Sequence, residues 1–235
     1  MNSARAETLK IAAAADLKFA MPLLIGEFKT DNPGIQVEAT YGSSGNFFAQ
    51  IAANAPFDLF FSADRSYAEK LIEQGHSHDL KEFIYGTGKI VAWVPKSSKF
   101  DFQKDGLRAL VDPSVKKIAI ANPKHAPYGR AASLALEKAG VFSKVKSKLV
   151  LGDNVVQAAQ FVQSGAADVG IIALSLALSP ELSASGRTWM IPASAYPKME
   201  QAGIILRNAA LPVSVKFRDF VMGAKGQAIL RKSGL

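Results

Sequence analysis

Leu9-Lys10-Ile11-Ala12-Ala13-Ala14-Ala15-Asp16-Leu17 decides the fold. Leu9 to Ala15 is a short apolar run, as a strand buried in a parallel sheet requires. From Leu17 the pattern changes to helical spacing, with Phe19, Leu23, Leu24 and Phe28 as the apolar positions. Pro22 must kink that helix or delay its start. A buried strand, a short turn and a helix make the unit from which α/β sheets are assembled.

Three further junctions repeat this pattern: Tyr41-Gly42-Ser43-Ser44-Gly45-Asn46, His125-Ala126-Pro127-Tyr128-Gly129-Arg130 and Gly152-Asp153-Asn154-Val155. Each separates a β-like run from a helix-like run, so each puts unused backbone N–H groups at a helix start. Four helix N-termini directed at one point form a binding site for a small anion, and that site needs neither metal nor organic cofactor.

Outward from these junctions, strands are expected at 35–41, 58–61, 89–94, 118–121, 149–151, 169–172 and 203–206. Helices are expected at 46–54, 65–74 (closed by Gly75), 106–111, 129–139 (closed by Gly140), 154–163 (capped by Asp153) and 213–222. Alternating strands and helices argue for parallel α/β sheets. No long linker interrupts them, so two lobes require the chain to cross twice. The outward crossing is expected near Tyr85–Lys89 and the return near Ala195–Lys198. Lobe 1 is then 7–86 plus 199–235, and lobe 2 is 87–198.

Composition narrows the function classes. The 235 residues are 49% hydrophobic and 20% charged, as in a folded soluble protein. No apolar run approaches the ~18–20 residues that span a membrane. Cysteine is absent, which excludes disulfide and thiolate chemistry. The net charge is +8, but the lysines are scattered. The Lys144–Lys148 cluster carries no interleaved aromatics, so it reads as a solvated face and not a nucleic-acid surface. Ala4-Arg5-Ala6 before Glu7 looks like the A-x-A end of a secretory signal, with Met1–Ala6 a remnant plus a start Met. An ordinary ragged terminus is the competing reading.

Catalytic signatures fail on inspection. Gly42-Ser43-Ser44-Gly45-Asn46 lacks the last glycine of a nucleophile elbow, and no phosphate-binding glycine motif occurs. His76 and His78 are an isolated pair, too few ligands for a metal site. His125 reads as a loop residue. Asp58 and Asp64 pair on paper as acid and base; the plainer reading makes Asp64 a helix N-cap and Asp58 the start of a strand.

At its junctions the sequence resembles the periplasmic molybdate-binding proteins of ABC transporters. The stretches that carry the resemblance are Ile11-Ala-Ala-Ala-Ala-Asp-Leu17, Gly42-Ser-Ser-Gly45, Ala55-Pro-Phe-Asp-Leu-Phe-Phe-Ser-Ala-Asp64, Asn122-Pro-Lys-His-Ala-Pro-Tyr-Gly129 and Ala167-Asp-Val-Gly-Ile-Ile-Ala173. The resemblance implies the α/β type II periplasmic-binding fold. Each of its two lobes is a mixed, mainly parallel sheet flanked by helices, and the ligand cleft lies between the lobes, which hinge closed on the ligand. It also implies a non-enzymatic, monomeric extracytoplasmic protein without cofactor. Such a protein captures molybdate or tungstate and delivers it to a membrane permease.

By position, the family's first-lobe donors fall on Asp16 and Ser44, with Gly45 letting the backbone come close. The second-lobe donors fall on the N–H groups of Tyr128 and Val155. A tyrosine hydroxyl of the family falls on Ala173. The family usually has serine at Asp16 and often tyrosine at Ala173, so both depart from the pattern. Two readings of Asp16 stand open: an N-cap of the following helix, or an acceptor for a protonated, phosphate-like oxyanion. Tyr128 is a candidate to replace the missing hydroxyl, and Arg130 is the only cation inside a junction.

Overall fold

A computed structural model describes residues 8–235. The stretch read as a signal remnant lies outside the described residues. The chain folds as two compact units. One runs up to Gly86 and resumes over Glu200–Lys232, and the other comprises Thr87–Met199 and Ser233–Leu235.

The first unit is built on β1 (Thr8–Ala14), β2 (Gln36–Gly42), β3 (Leu59–Ser62), β4 (Phe83–Gly88) and the late strand β10 (Met199–Ile205). Their order in the sheet is β2-β1-β3-β10-β4. β1 runs parallel to both β2 and β3, whereas β10 runs antiparallel to β3. A 3-10 turn (Ala15–Leu17) follows β1, and α1 (Ala20–Asp31), α2 (Ser44–Ala52) and α3 (Arg65–Glu73) complete the strand–helix units. Leu9, Ile11, Phe60 and Phe61 are buried, as strands covered on both faces must be. Phe28 of α1 meets Phe217 edge to face at 5.0 Å, which attaches the late helix Leu211–Met222 to this core.

The second unit holds β5 (Ile90–Pro95), β6 (Ile118–Ala121), β7 (Leu149–Gly152), β8 (Val169–Ala173) and β9 (Gly186–Met190), in the order β7-β6-β8-β5-β9. β6 is parallel to β7 and β8, and β5 is antiparallel to β8 and β9. Its helices are α4 (Phe102–Asp105), α5 (Pro127–Lys138), α6 (Phe142–Val145), α7 (Val155–Gln163), α8 (Leu174–Ala177) and α9 (Pro180–Ser185). The chain then returns through β10 to α10 (Leu211–Met222) and α11 (Ala224–Lys232).

Several elements differ from the sequence reading. Pro22 does delay its helix: α1 opens at Ala20 and seats the proline in its first turn, where a missing N–H is harmless. α2 and α5 begin two residues earlier than expected, which draws Ser44, Gly45 and Tyr128 out of the loops and into first turns. β4, β9 and α11 were not foreseen. Helix α3 ends as read, with Gly75 at a φ of 72° that favours glycine.

Candidate functional site

Each unit brings two chain turns side by side at one sheet edge. In the first unit, β1 and β2 end in register, Ala14 opposite Gly42. Neighbouring strands lie about 4.8 Å apart, so the residues that follow them emerge as neighbours at about the span of a small oxyanion. After β2, Ser43 caps α2: its Oγ accepts the N–H of Asn46 at 3.3 Å, and its carbonyl accepts that of Phe47 at 3.1 Å. The N–H groups of Ser44 and Gly45 remain at the helix mouth, where no intrahelical acceptor exists.

The Ser44 hydroxyl accepts the N–H of Ala63 at 2.9 Å, so its own proton is directed elsewhere. Ala63 is fixed in turn. The neighbouring Ser62 Oγ donates to the Asp64 carbonyl at 2.7 Å, and the Tyr85 hydroxyl donates to the Ser62 carbonyl at 3.1 Å.

Asp16 is fully buried in the 3-10 turn after β1. The N-cap reading is corrected here. The helix it was meant to cap starts at Ala20, and Phe19 holds the N-cap position. The Asp16 carboxylate is joined to β10, where Oδ2 accepts the Gln201 amide at 2.7 Å. Burial, and next the charge of Asp16, push the Tyr85 hydroxyl well above its usual range, so Tyr85 stays a neutral donor. Sequence reasoning missed both Gln201 and Tyr85. The available signal for Gln201 was one amide directly before the apolar run Ala202–Ile205.

In the second unit, β6 and β7 end in register, Ala121 opposite Gly152, and the Asn122 N–H donates to the Gly152 carbonyl at 2.7 Å. α5 and α7 therefore rise from adjacent strand ends. Pro127 opens α5 without an N–H, so the first donor at that mouth belongs to Tyr128. Gly129 lets the helix approach β6: a Cβ there would stand 2.1 Å from the Ala121 carbonyl oxygen.

At α7 the cap is Asn154, one residue later than the expected Asp153. Its Oδ1 accepts the N–H groups of Val156 and Gln157 at 3.0 and 3.1 Å, leaving that of Val155 at the mouth. The Gln157 side chain reaches back to the Asp153 N–H at 2.6 Å. Ala173 ends β8, buried and paired with Ile90, and offers no side-chain donor. A tyrosine hydroxyl does reach this strand pair, since Tyr196 Oη accepts the Ile90 N–H at 3.2 Å. Arg130, the fourth residue of α5, is half-buried.

The other candidates are structural. Asp64 caps α3 through the Ser66 N–H at 2.9 Å. Asp58 accepts the N–H groups of Lys10 at 2.7 Å and Ala210 at 3.0 Å, which ties β1 to the approach of α10. His78 pairs with Asp79 at 3.0 Å. No group of three or more His, Cys, Asp or Glu suited to a metal ion occurs among the described residues. Lys144 and Lys146 are exposed as read. Lys148 is not, since its ammonium bonds the carbonyls of Leu110 at 3.1 Å and Asp112 at 2.9 Å.

The profile of the bacterial extracellular solute-binding protein family matches residues 9–235. The chain belongs to this family. Among its relatives, the molybdate-binding protein of Rhodobacter capsulatus is 34% identical over 227 residues, covering 96% of this chain and 87% of that one. The molybdate-binding protein of Azotobacter vinelandii is 34% identical over 233 residues, 99% and 91% of the two chains. The solved structure of the Azotobacter vinelandii periplasmic molybdate-binding protein superposes with a TM-score of 0.89 at 33% identity, covering 96% and 97%. The two helix-flanked mixed sheets are thus those of a periplasmic-binding fold, and this solute-binding protein belongs to a non-enzymatic family.

Proposed function

We propose that this solute-binding protein captures a fully deprotonated tetrahedral oxyanion, molybdate or tungstate, outside the cytoplasm. It then delivers the anion, as a monomer, to the membrane permease of an ABC importer. One observation carries the reading. In both units the capping side chains consume the deeper N–H groups of a helix and leave the outermost ones over adjacent strand ends. The Ser44 hydroxyl and the N–H groups of Ser44 and Gly45 then form a donor set for an oxyanion in the first unit, and the N–H groups of Tyr128 and Val155 form another in the second. Helix N-termini supply positive potential without a lysine or arginine at the anion. The molybdate-binding relatives support the choice of anion.

Charge-assisted hydrogen bonds contribute about 1.5–3 kcal/mol each. Five of them, less the entropy of immobilising the ligand, reach micromolar to nanomolar affinity. A phosphate-like, protonated anion needs an acceptor at Asp16, and Oδ2 of that carboxylate already accepts from Gln201. Protonated phosphate therefore ranks below molybdate.

Thermal unfolding against a panel of molybdate, tungstate, sulfate and phosphate tests this. A ligand at 100 times its Kd adds about 2.7 kcal/mol to the stability of the folded state. Molybdate and tungstate should raise the melting temperature at micromolar concentration. No shift with either at millimolar concentration refutes the proposal.

A further inference from the structure

We propose that Gln201 is a specificity-determining positioning residue: its amide ties down the Asp16 carboxylate, so that the turn after β1 offers the oxyanion peptide donors and not a mobile negative charge. This role rests on the oxyanion reading above. Gln201 is fully buried in a strand whose neighbours Ala202, Ile204 and Ile205 are also buried. An amide in such a place is destabilising unless it is hydrogen-bonded. Its Nε2 donates to Asp16 Oδ2 at 2.7 Å.

Alternation along β10 sends its neighbour the other way, and Glu200 meets Arg65 at 3.3 Å. The acidic residue of this pair thus faces a guanidinium, and the neutral one faces the half-site. Asp16 occupies the turn beside the mouth of α2, so a carboxylate released there repels an incoming dianion. A neutral donor restrains that carboxylate without adding a cation that would hold every anion alike.

The test is calorimetric titration of wild type, Q201M, D16N/Q201M and the swap D16N/Q201E with molybdate and sulfate. Methionine keeps the volume of Gln201 and removes the donor. Q201M should bind molybdate at least tenfold more weakly, and D16N in that background should restore most of the loss, because an uncharged residue 16 needs no restraint. A purely structural role for Gln201 gives no such rescue.

Binding by Q201M within threefold of wild type overturns the proposal, as does a double variant no tighter than Q201M. Should Q201M fail to fold, the swap decides. It keeps the hydrogen bond with donor and acceptor exchanged, so it should bind within about threefold of wild type, and a loss beyond tenfold overturns the role. A wild type that binds no oxyanion refutes the proposed function, and this role with it. A wild type that binds molybdate beside an unaffected Q201M refutes the role of Gln201 alone.

Discussion

Gly129→Ala should weaken both folding and anion capture through a single contact. The added Cβ would stand 2.1 Å from the carbonyl oxygen of Ala121, 2.7 Å from its carbonyl carbon and 2.9 Å from the Pro123 nitrogen. All three are backbone atoms, so no side chain can swing aside. A comfortable carbon–oxygen contact is about 3.3 Å, which leaves α5 to retreat by about 1.2 Å. Overpacking of this kind is destabilising by about 1–3 kcal/mol, and each kcal/mol lowers the melting temperature by about 2–4 °C in a chain of this size.

Tyr128 precedes Gly129 and moves with it. A hydrogen bond of about 2.9 Å stretched by that amount passes the distance at which it holds. Losing one charge-assisted bond of about 1.5–3 kcal/mol lowers affinity about 10- to 150-fold. Thermal unfolding gives the first effect and calorimetric titration with molybdate the second. A G129A protein with the melting temperature and affinity of wild type refutes both the close approach and the place given to Tyr128.

Other substitutions separate the physical causes. Gly26 lies within α1, and a Cβ there meets nothing within 4 Å. G26A should therefore stabilise by about 0.5–1 kcal/mol, read from the urea midpoint. N154A removes the acceptor for two N–H groups of α7 and should destabilise by about 1–2 kcal/mol by the same assay, with weaker molybdate binding. Tyr85 has a folded-state pKa raised by burial and by Asp16. The stability this represents is present below about pH 10 and lost as the pH rises further, because the unfolded chain ionises first. Y85F should flatten that alkaline loss in urea titrations run from pH 8 to 11. At neutral pH it should be destabilising by about 1–3 kcal/mol, since the Ser62 carbonyl loses its donor.

The strand–turn–helix junctions were legible because their causes are local. An apolar run, a capping residue and a change of period lie within a dozen positions, as at Leu149–Gly152 followed by α7. The start of α7 slipped by one residue because two capping residues stand together there. Asp153 and Asn154 compete for one cap, and only the packed helix selects the second. What escaped is non-local. β4 contains Gly86 and Gly88, poor strand formers that pair only because β10 arrives from far along the chain. Gln201 and Asp16 are 185 positions apart, so no window along the sequence joins them. Asp16 looked like a cap because aspartate usually is one, and tertiary packing gave it another partner.

The insertion of β10 between β3 and β4 has a kinetic consequence. As the polypeptide leaves the ribosome, the opening strands are made first, yet their sheet lacks an inner member until Met199–Ile205 has been synthesised. The intervening unit carries a complete sheet of its own before that point and can fold ahead of the segment that was translated first. Until β10 docks, the β3 edge is exposed as a template for stray pairing. Folding of the first unit therefore ends with a long-range closure, a slow step by its topology.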